Sequence, residues 1–313
     1  MRKAQRPAGA GIRPGWVRDD LFPFRSRFTE VDGHLIHYVD EGRGPVLLLL
    51  HGNPTWSFVY RDAITRLRDR FRCIAPDLPG FGLSAPAAGY AYRPAEHAAV
   101  IGGFIDQLGL SGIILAVQDW GGPIGLAAAA RRAGRLAGLV IGNTWAWPVS
   151  GDRHFETFSA IMGGPIGAEL IRDLNLFVNV MIPAGHKRRR VTRAEMSQYR
   201  AALPTRSRRQ PSAIFPREIT RSRDFLAQTE ASLPALAHLP ALIVWGDADF
   251  AFREQERRRW ESLLPHHVTR VLAGAGHFLQ SDAPDDYAAA ITSWWPPSPA
   301  APADPPQTQN EPS

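Results

Sequence analysis

The stretch Ile113-Ile114-Leu115-Ala116-Val117-Gln118-Asp119-Trp120-Gly121-Gly122 decides the fold of this chain. Its first five residues are apolar and mostly β-branched, which predicts a buried strand of a parallel sheet. The alanine-rich segment 123–132 that follows it predicts a helix. A strand and a helix joined by a sharp turn form the setting of a nucleophile elbow, and the two glycines let the two backbones approach closely. Asp119 stands at the apex of this turn.

Two interpretations of Asp119 are open at this point. A carboxylate at the apex can attack carbon directly and form an ester to the protein. Alternatively, Asp119 caps the N-terminus of the following helix, where an acid is favourable because of the helix dipole. The remaining strands favour the first interpretation, because they too end in polar residues.

Predicted strands and helices alternate on both sides of this stretch. A hairpin is predicted at 28–40, and further strands at 45–50, 71–76, 136–141, 241–245 and 268–272. This alternation predicts an α/β fold with a parallel sheet. Polar residues follow four of the strands, namely His51 with Asn53, Asp119 with Trp120, Asp249, and His277. We expect these residues to meet, because working residues in such sheets lie at the carboxyl ends of the strands.

The segment 147–235 has a different character from the rest of the chain. It is rich in arginine, and glycines and prolines divide it into helix-length pieces without a strand-like run. We expect an inserted helical cap that divides an α/β core into 21–146 and 236–295. The segment 296–313 is rich in proline, alanine and polar residues, which predicts a disordered tail.

The composition excludes several classes of protein. The chain has 313 residues and a formal net charge of +6, and its basic residues are mostly scattered arginines without a nucleic-acid-binding pattern. One denser basic zone comprises 187–190 with Arg193, Arg206, Arg208 and Arg209. It indicates a solvated face or, as the sharper hypothesis, a contact with a second subunit or with an anionic partner. Cys73 is the single cysteine, so the sequence contains neither a disulfide framework nor a cysteine metal cluster.

Targeting signals are not evident in the sequence. The first 20 residues contain charges and glycines but lack the apolar run of a secretory signal. No apolar stretch is long enough to cross a membrane. We therefore expect a soluble cytoplasmic protein without a membrane partner.

Five motifs resemble those of the haloalkane dehalogenases, a family of the α/β-hydrolase superfamily. They are His-Gly-Asn-Pro-Thr at 51–55, Asp-Leu-Pro-Gly-Phe-Gly-Leu-Ser at 77–84, Val-Gln-Asp-Trp-Gly-Gly at 117–122, Trp-Gly-Asp-Ala-Asp-Phe at 245–250 and Gly-Ala-Gly-His-Phe-Leu-Gln at 274–280. They occur in the family's order, and the first and third are highly specific. The resemblance implies an α/β-hydrolase fold, with a mostly parallel eight-stranded sheet flanked by helices, a helical cap after the sixth strand, and neither cofactor nor metal.

The resemblance also implies a catalytic triad. Asp119 is expected to displace halide from an sp³ carbon, and His277 to activate the water that hydrolyses the resulting ester. Asp249 is expected to orient His277, with Asp247 as the near alternative. Some dehalogenases carry a glutamate after the sixth strand, where this chain has Asn143, and an asparagine cannot offset the charge of an imidazolium.

The halide site is expected to use Asn53 and Trp120. Their side chains offer an amide and an indole N–H to the departing anion, and their backbone N–H groups are expected to form an oxyanion hole. The sequence thus resembles the subgroup that combines an Asn/Trp halide site with an Asp-His-Asp triad. Six apolar residues are candidates for the pocket walls, although for each one alone ordinary packing in the core is the favoured interpretation. They are Trp145, Trp147, Phe155, Phe177, Val180 and Leu279.

The expected reaction is the hydrolysis of a small apolar haloalkane by water to a primary alcohol and halide. An epoxide hydrolase is one alternative, since it shares the aspartate and histidine, but it normally uses two cap tyrosines and the cap contains only Tyr199. A catalytically weak binding or assembly protein of the same fold is the other alternative.

Overall fold

The computed structural model describes residues 11–296, which form an α/β fold around one eight-stranded sheet. The strands are β1 Arg27–Val31, β2 His34–Glu41, β3 Val46–Leu50, β4 Arg72–Pro76, β5 Ile113–Gln118, β6 Leu136–Gly142, β7 Ala241–Gly246 and β8 His267–Leu272. Their spatial order is β1-β2-β4-β3-β5-β6-β7-β8. Only β2 pairs antiparallel with its neighbours, β1 and β4. The predicted mostly parallel eight-stranded sheet is confirmed.

Helices cover both faces of this sheet. Those before β6 are α1 Arg61–Leu67, α2 Pro94–Gln107 and α3 Gly121–Ala130, with short 3-10 turns at Ser57–Tyr60 and Ala133–Arg135. The strands between them are buried on both faces, and β5 is buried at every position. This burial explains why the central strands are continuous apolar runs instead of alternating ones.

All regular elements between β6 and β7 are helical. They are α4 Arg153–Gly163, α5 Pro165–Leu174, a π-helical turn Phe177–Met181, α6 Ile182–Ala184, α7 Arg193–Ala202, α8 Gln210–Arg221, α9 Arg223–Ser232 and a 3-10 turn Leu233–Leu236. We refer to them as the cap helices. The Ser159 hydroxyl on α4 donates a hydrogen bond to the carbonyl of Pro216 in α8 and so joins two cap helices. Pro216 has no backbone N–H and cannot donate a hydrogen bond within its own helix.

Three helices follow β7, namely α10 Glu254–Leu263, α11 Leu279–Asp282 and α12 Pro284–Trp294. The sequence did not predict α10, because this helix consists largely of charged residues and fully buries only Trp260 among its aromatic and aliphatic side chains. Of the predicted tail 296–313, all but Pro296 lies outside the described residues, as does the segment 1–10.

Candidate active site

Asp119 occupies a strained turn between β5 and α3. Its φ angle of 51° lies in the left-handed region, which is uncommon for a residue other than glycine and often marks a functional site. A Cβ atom at Gly121 would collide with the carbonyl oxygen of Leu50, and one at Gly122 with the side chain of Thr144. Glycine is therefore required at both positions for the turn that presents Asp119.

Backbone donors surround the Asp119 carboxylate. Its Oδ1 accepts a hydrogen bond from the Asn53 N–H at 2.8 Å, and the carboxylate also accepts one from the Trp120 N–H at the start of α3. Burial raises the pKa of the Asp119 carboxyl, and His277 together with these two backbone donors partly offsets that rise. The site therefore supplies fixed dipoles that favour an ionised carboxylate in a largely dry environment.

His277 lies between the two carboxylates that were expected to flank it. Its Nε2 is 3.7 Å from Oδ2 of Asp119, and its Nδ1 is 2.9 Å from Oδ2 of Asp249. Burial by itself lowers the pKa of His277, but Asp249 and then Asp119 outweigh it and raise that pKa above its usual value. Asp247 instead accepts a hydrogen bond from the exposed Gly274 N–H, so of the two candidates it is Asp249 that contacts His277.

Two further side chains, to which the sequence analysis assigned no role at the site, contact this group. Asn143, at the end of β6, donates to Oδ2 of Asp249 at 2.7 Å and exchanges hydrogen bonds with the backbone of Gly246. Asn143 thus supports the acid instead of replacing it. Gln118, at the end of β5, contacts His277 directly. Both residues end parallel strands at the site's edge of the sheet, which is the one sequence signal that could have identified them.

An apolar cavity of about 80 Å³ lies between the Asp119 turn and the cap helices. Asn53, Asp119, Trp120 and His277 supply polar groups to it, and its apolar walls include Trp145, Phe155, Phe177, Ile219, Phe250 and Phe252. Trp147 and Leu279 pack in the core instead, and Val180 is exposed. Such a cavity favours a small apolar substrate over a charged one.

Two residues that line this apolar space carry side-chain N–H groups that are not fully used in hydrogen bonds. The Trp120 indole lines the cavity, and its Nε1 has no hydrogen-bond acceptor in the described part of the chain. Asn53 uses its amide nitrogen to donate to the carbonyl of Ser212 in α8 at 3.3 Å, which leaves the second hydrogen of that nitrogen available. Donors that remain unpaired in a buried cavity favour the binding of an anion there.

Two other expectations concern regions outside the cavity. Arginines of the dense basic zone pair within the chain, Arg206 with Glu169 and Asp173 and Arg189 with Glu195. No cluster of three or more His, Cys, Asp or Glu suited to a metal ion occurs within 11–296, and no helix there is long and apolar enough to cross a membrane.

The geometry agrees with comparisons to known proteins. The family model of the α/β-hydrolase fold matches residues 45–284. Haloalkane dehalogenase 2 of Mycobacterium tuberculosis is 48% identical to this chain over 273 residues, which cover 87% of this chain and 95% of the relative. This chain belongs to the haloalkane dehalogenase family. A cis-3-alkyl-4-alkyloxetan-2-one decarboxylase of Shewanella oneidensis is a more distant relative, at 33% identity over 86% of this chain and 87% of its own length.

Solved structures of haloalkane dehalogenases share the fold. The enzyme DbeA from Bradyrhizobium elkani superposes with a TM-score of 0.78 at 30% identity, over 87% of this chain and 97% of that one. A putative ancestral haloalkane dehalogenase gives a TM-score of 0.77 at 32% identity, over 86% of this chain and 97% of that one. The α/β-hydrolase fold and the family resemblance read from the sequence are thereby confirmed.

Proposed function

We propose that this haloalkane dehalogenase hydrolyses small haloalkanes to a primary alcohol and halide through an alkyl ester on Asp119. The observation that carries the proposal is the position of the Asp119 carboxylate. It lies in an apolar cavity between two backbone donors on one side and the Nε2 of His277 on the other.

The first step is displacement of the halide. Oδ2 of Asp119 is the oxygen that does not accept a hydrogen bond from the Asn53 N–H. It forms a bond to the substrate carbon while the carbon–halogen bond breaks and its electron pair leaves with the halide. The Trp120 indole N–H and the Asn53 amide donate to the departing anion. Two hydrogen bonds to an anion at about 1.5–3 kcal/mol each supply roughly 10²–10⁴ in rate if they form mainly in the transition state.

The second step is hydrolysis of the ester. His277 removes a proton from water through Nε2, and the water oxygen attacks the carbonyl carbon of the ester. The negative charge develops on Oδ1, which accepts from the Asn53 N–H, and the Trp120 N–H donates to the same carboxyl group. The intermediate then expels the alkoxide, which takes the proton from His277 and leaves as the alcohol. The carboxylic acid that remains still holds the second proton of the water, and it releases that proton to the solvent to restore the Asp119 carboxylate.

Ester formation also prepares the base. The charged Asp119 carboxylate raises the pKa of His277, and alkylation removes that charge. The pKa of His277 therefore falls at the moment when its free base is needed. Asp249 remains in place to stabilise the imidazolium that forms during hydrolysis.

The alternatives fit the site less well. An epoxide hydrolase needs tyrosines over the carboxylate, whereas no tyrosine of the described chain lines the cavity and Tyr199 packs against Phe58 in the core. A catalytically weak binding protein would not need a base that is hydrogen-bonded to one carboxylate and lies 3.7 Å from a second one in the cavity. Both alternatives are therefore disfavoured.

The experiment that tests this function is halide release from 1-bromobutane by the purified protein, beside the isosteric Asp119→Asn and the truncated Asp119→Ala variants. We expect release by the parent protein alone. A cis-3,4-dialkyloxetan-2-one and an alkyl epoxide form two further arms. Turnover of the lactone or the epoxide without release of halide would contradict the proposal and assign the site to those substrates.

We further propose that the chain works in the cytoplasm without a nucleic-acid or membrane partner. Its self-association remains a prediction, which sedimentation velocity of the parent and an Arg206→Glu, Arg208→Glu variant tests. A smaller particle in the variant would support a contact through the basic zone, and an unchanged particle would exclude it.

A further inference from the structure

Gln118 makes a contact with the base that fixes the direction of its own amide group. Its Nε2 lies 3.1 Å from the backbone carbonyl oxygen of His277 and 3.1 Å from the ring Nε2 of the same residue. A carbonyl oxygen only accepts hydrogen bonds, so the amide nitrogen and not the amide oxygen faces it. The same NH₂ group therefore donates to the imidazole.

This donor determines which tautomer of His277 is present. If Gln118 donates to Nε2, that nitrogen carries a lone pair, and the ring hydrogen lies on Nδ1. Nδ1 is 2.9 Å from the Asp249 carboxylate, which needs a donor. The two neighbours thus select the same neutral tautomer, the one whose Nε2 can take a proton from water.

We propose that Gln118 is a positioning residue for the hydrolytic step, which holds Nε2 of His277 unprotonated until the ester has formed and the attacking water takes over the Nε2 lone pair from the Gln118 N–H. The catalytic consequence rests on the proposed function, whereas the contact and its effect on the imidazole can be tested without any substrate.

The charges around His277 show why such a residue is useful. Two carboxylates face the ring, Asp119 from the turn after β5 and Asp249 from the loop after β7, and both favour the imidazolium. The rings of Phe250, Phe252 and Phe278 pack against the remaining surface. An imidazolium Nε2–H would face the Gln118 N–H, donor against donor, so Gln118 opposes the rise in the pKa of His277.

Premature protonation of His277 would harm both steps. An imidazolium 3.7 Å from Asp119 would pair with the nucleophile and weaken its attack, and it could not act as a base afterwards. The amide counteracts this pairing without introducing a charge into the cavity.

Packing alone does not account for glutamine at this position. Gln118 is 2% exposed, and its Oε1 is buried without a hydrogen-bond partner in the described chain. A buried amide with an unpaired oxygen costs free energy that an apolar side chain of similar size would avoid. The cost is consistent with a role that only the N–H group fulfils.

The test replaces the donor with an apolar side chain of similar length, Gln118→Met. The matched control is Gln280→Met, which also removes a buried amide near His277 in the chain, but one that has no hydrogen bond to any described residue. The ionisation midpoint of His277 is followed by NMR of ¹⁵N-labelled histidine without substrate, with the signal assigned by its loss in His277→Asn. We expect Gln118→Met to raise the midpoint by about half to one pH unit, the effect of one ordinary hydrogen bond, and Gln280→Met to leave it unchanged.

Rapid-quench kinetics with 1-bromobutane gives the second readout. The acid limb of ester hydrolysis should move to higher pH by the same amount in Gln118→Met. An unchanged NMR midpoint in Gln118→Met, or an equal rise in Gln280→Met, would overturn the proposal. If Gln118→Met does not fold, Gln118→Leu replaces it in both measurements, with the same expected and contradicting results. Absence of halide release by the parent would refute the proposed function, and the NMR midpoint would still decide the role of Gln118.

Discussion

Replacing Asp249 with asparagine should separate the two chemical steps. Oδ2 of Asp249 accepts from His277 Nδ1 at 2.9 Å and from Asn143 Nδ2 at 2.7 Å, and Oδ1 accepts from the Ala251 N–H at 2.7 Å. In Asp249→Asn the amide nitrogen replaces one of these two oxygens. At either position it would face an N–H group that needs an acceptor. The substitution also removes the charge that stabilises the imidazolium. Asp119 and the halide donors remain in place, so alkylation should continue.

The size of the effect follows from these contacts. Leaving a buried donor unpaired costs about 1–3 kcal/mol, and losing an ionic acceptor costs about 1.5–3 kcal/mol. Together these costs amount to about 2.5–6 kcal/mol, which slows hydrolysis roughly 10²–10⁴-fold. Asp249→Asn should therefore release about one halide per chain in a burst and then stall.

Mass spectrometry of the stalled protein tests this expectation. The Asp249→Asn chain incubated with 1-bromobutane should carry one butyl group on the peptide that contains Asp119. Asp247→Asn is the matched control, because Asp247 lies two residues away and bonds only the Gly274 N–H among the described groups. Full turnover by Asp249→Asn would refute the assignment of the acid. So would an Asp247→Asn chain whose Asp119 peptide carries the butyl group to the same extent.

Three further outcomes are expected. Trp120→Phe keeps the ring but removes the indole N–H, so bromide affinity measured by calorimetry should fall about 10-fold or more, the value of one hydrogen bond to an anion; unchanged affinity would exclude this donor. Steady-state turnover should fall on the acid side, because ester hydrolysis needs the free base of His277, whose pKa Asp249 raises against the effect of burial, and that base is lost as the pH falls through the pKa; a stopped-flow pH profile checks this. Glu195→Gln should lower the free energy of unfolding by about 1–2 kcal/mol at neutral pH after allowance for solvent screening, since its arginine partners outweigh burial and hold the pKa of Glu195 at about 2. This stabilisation is fully present above pH 4.5 and is lost as the pH falls toward 2, so urea unfolding should show the difference between parent and variant shrinking over that range.

Much of the fold could be predicted because buried strands leave a strong local signal. The run 113–117 is apolar at every position, and the structure buries every residue of β5. Polar residues immediately after such runs indicated which side chains would meet at one edge of the sheet. Asp119, Asp249 and His277 come from three separate parts of the chain, and the parallel pairing of β5, β6, β7 and β8 brings them together.

Other features depend on tertiary packing that the sequence does not encode locally. Helix α10 has no apolar stripe, because the side chains that it buries are Glu256 and Trp260. Trp260 donates its indole N–H to the carbonyl of Thr144. The cavity walls depend on how α4 and α8 pack, so Trp147 and Trp145 could not be distinguished although they lie two residues apart. Trp145 lines the cavity, whereas Trp147 packs against Trp260.

Supporting polar residues were difficult to predict for a related reason. Asn143 was considered only as a substitute for the acid, and an amide cannot fill that role. Its contribution as a donor to Asp249 depends on the close approach of the ends of β6 and β7, which only the structure shows. The same holds for Gln118, whose amide contacts a histidine 159 positions away in the chain.

The covalent ester on Asp119 is tested most directly by a single turnover in H₂¹⁸O with protein in excess over 1-bromobutane. Water that attacks the ester carbonyl leaves its oxygen in the Asp119 carboxylate, so the peptide containing Asp119 should gain one ¹⁸O and the butanol should contain ¹⁶O. Butanol that carries ¹⁸O, with an unlabelled Asp119 peptide, would contradict the account, because it would mean that water attacks the substrate carbon directly.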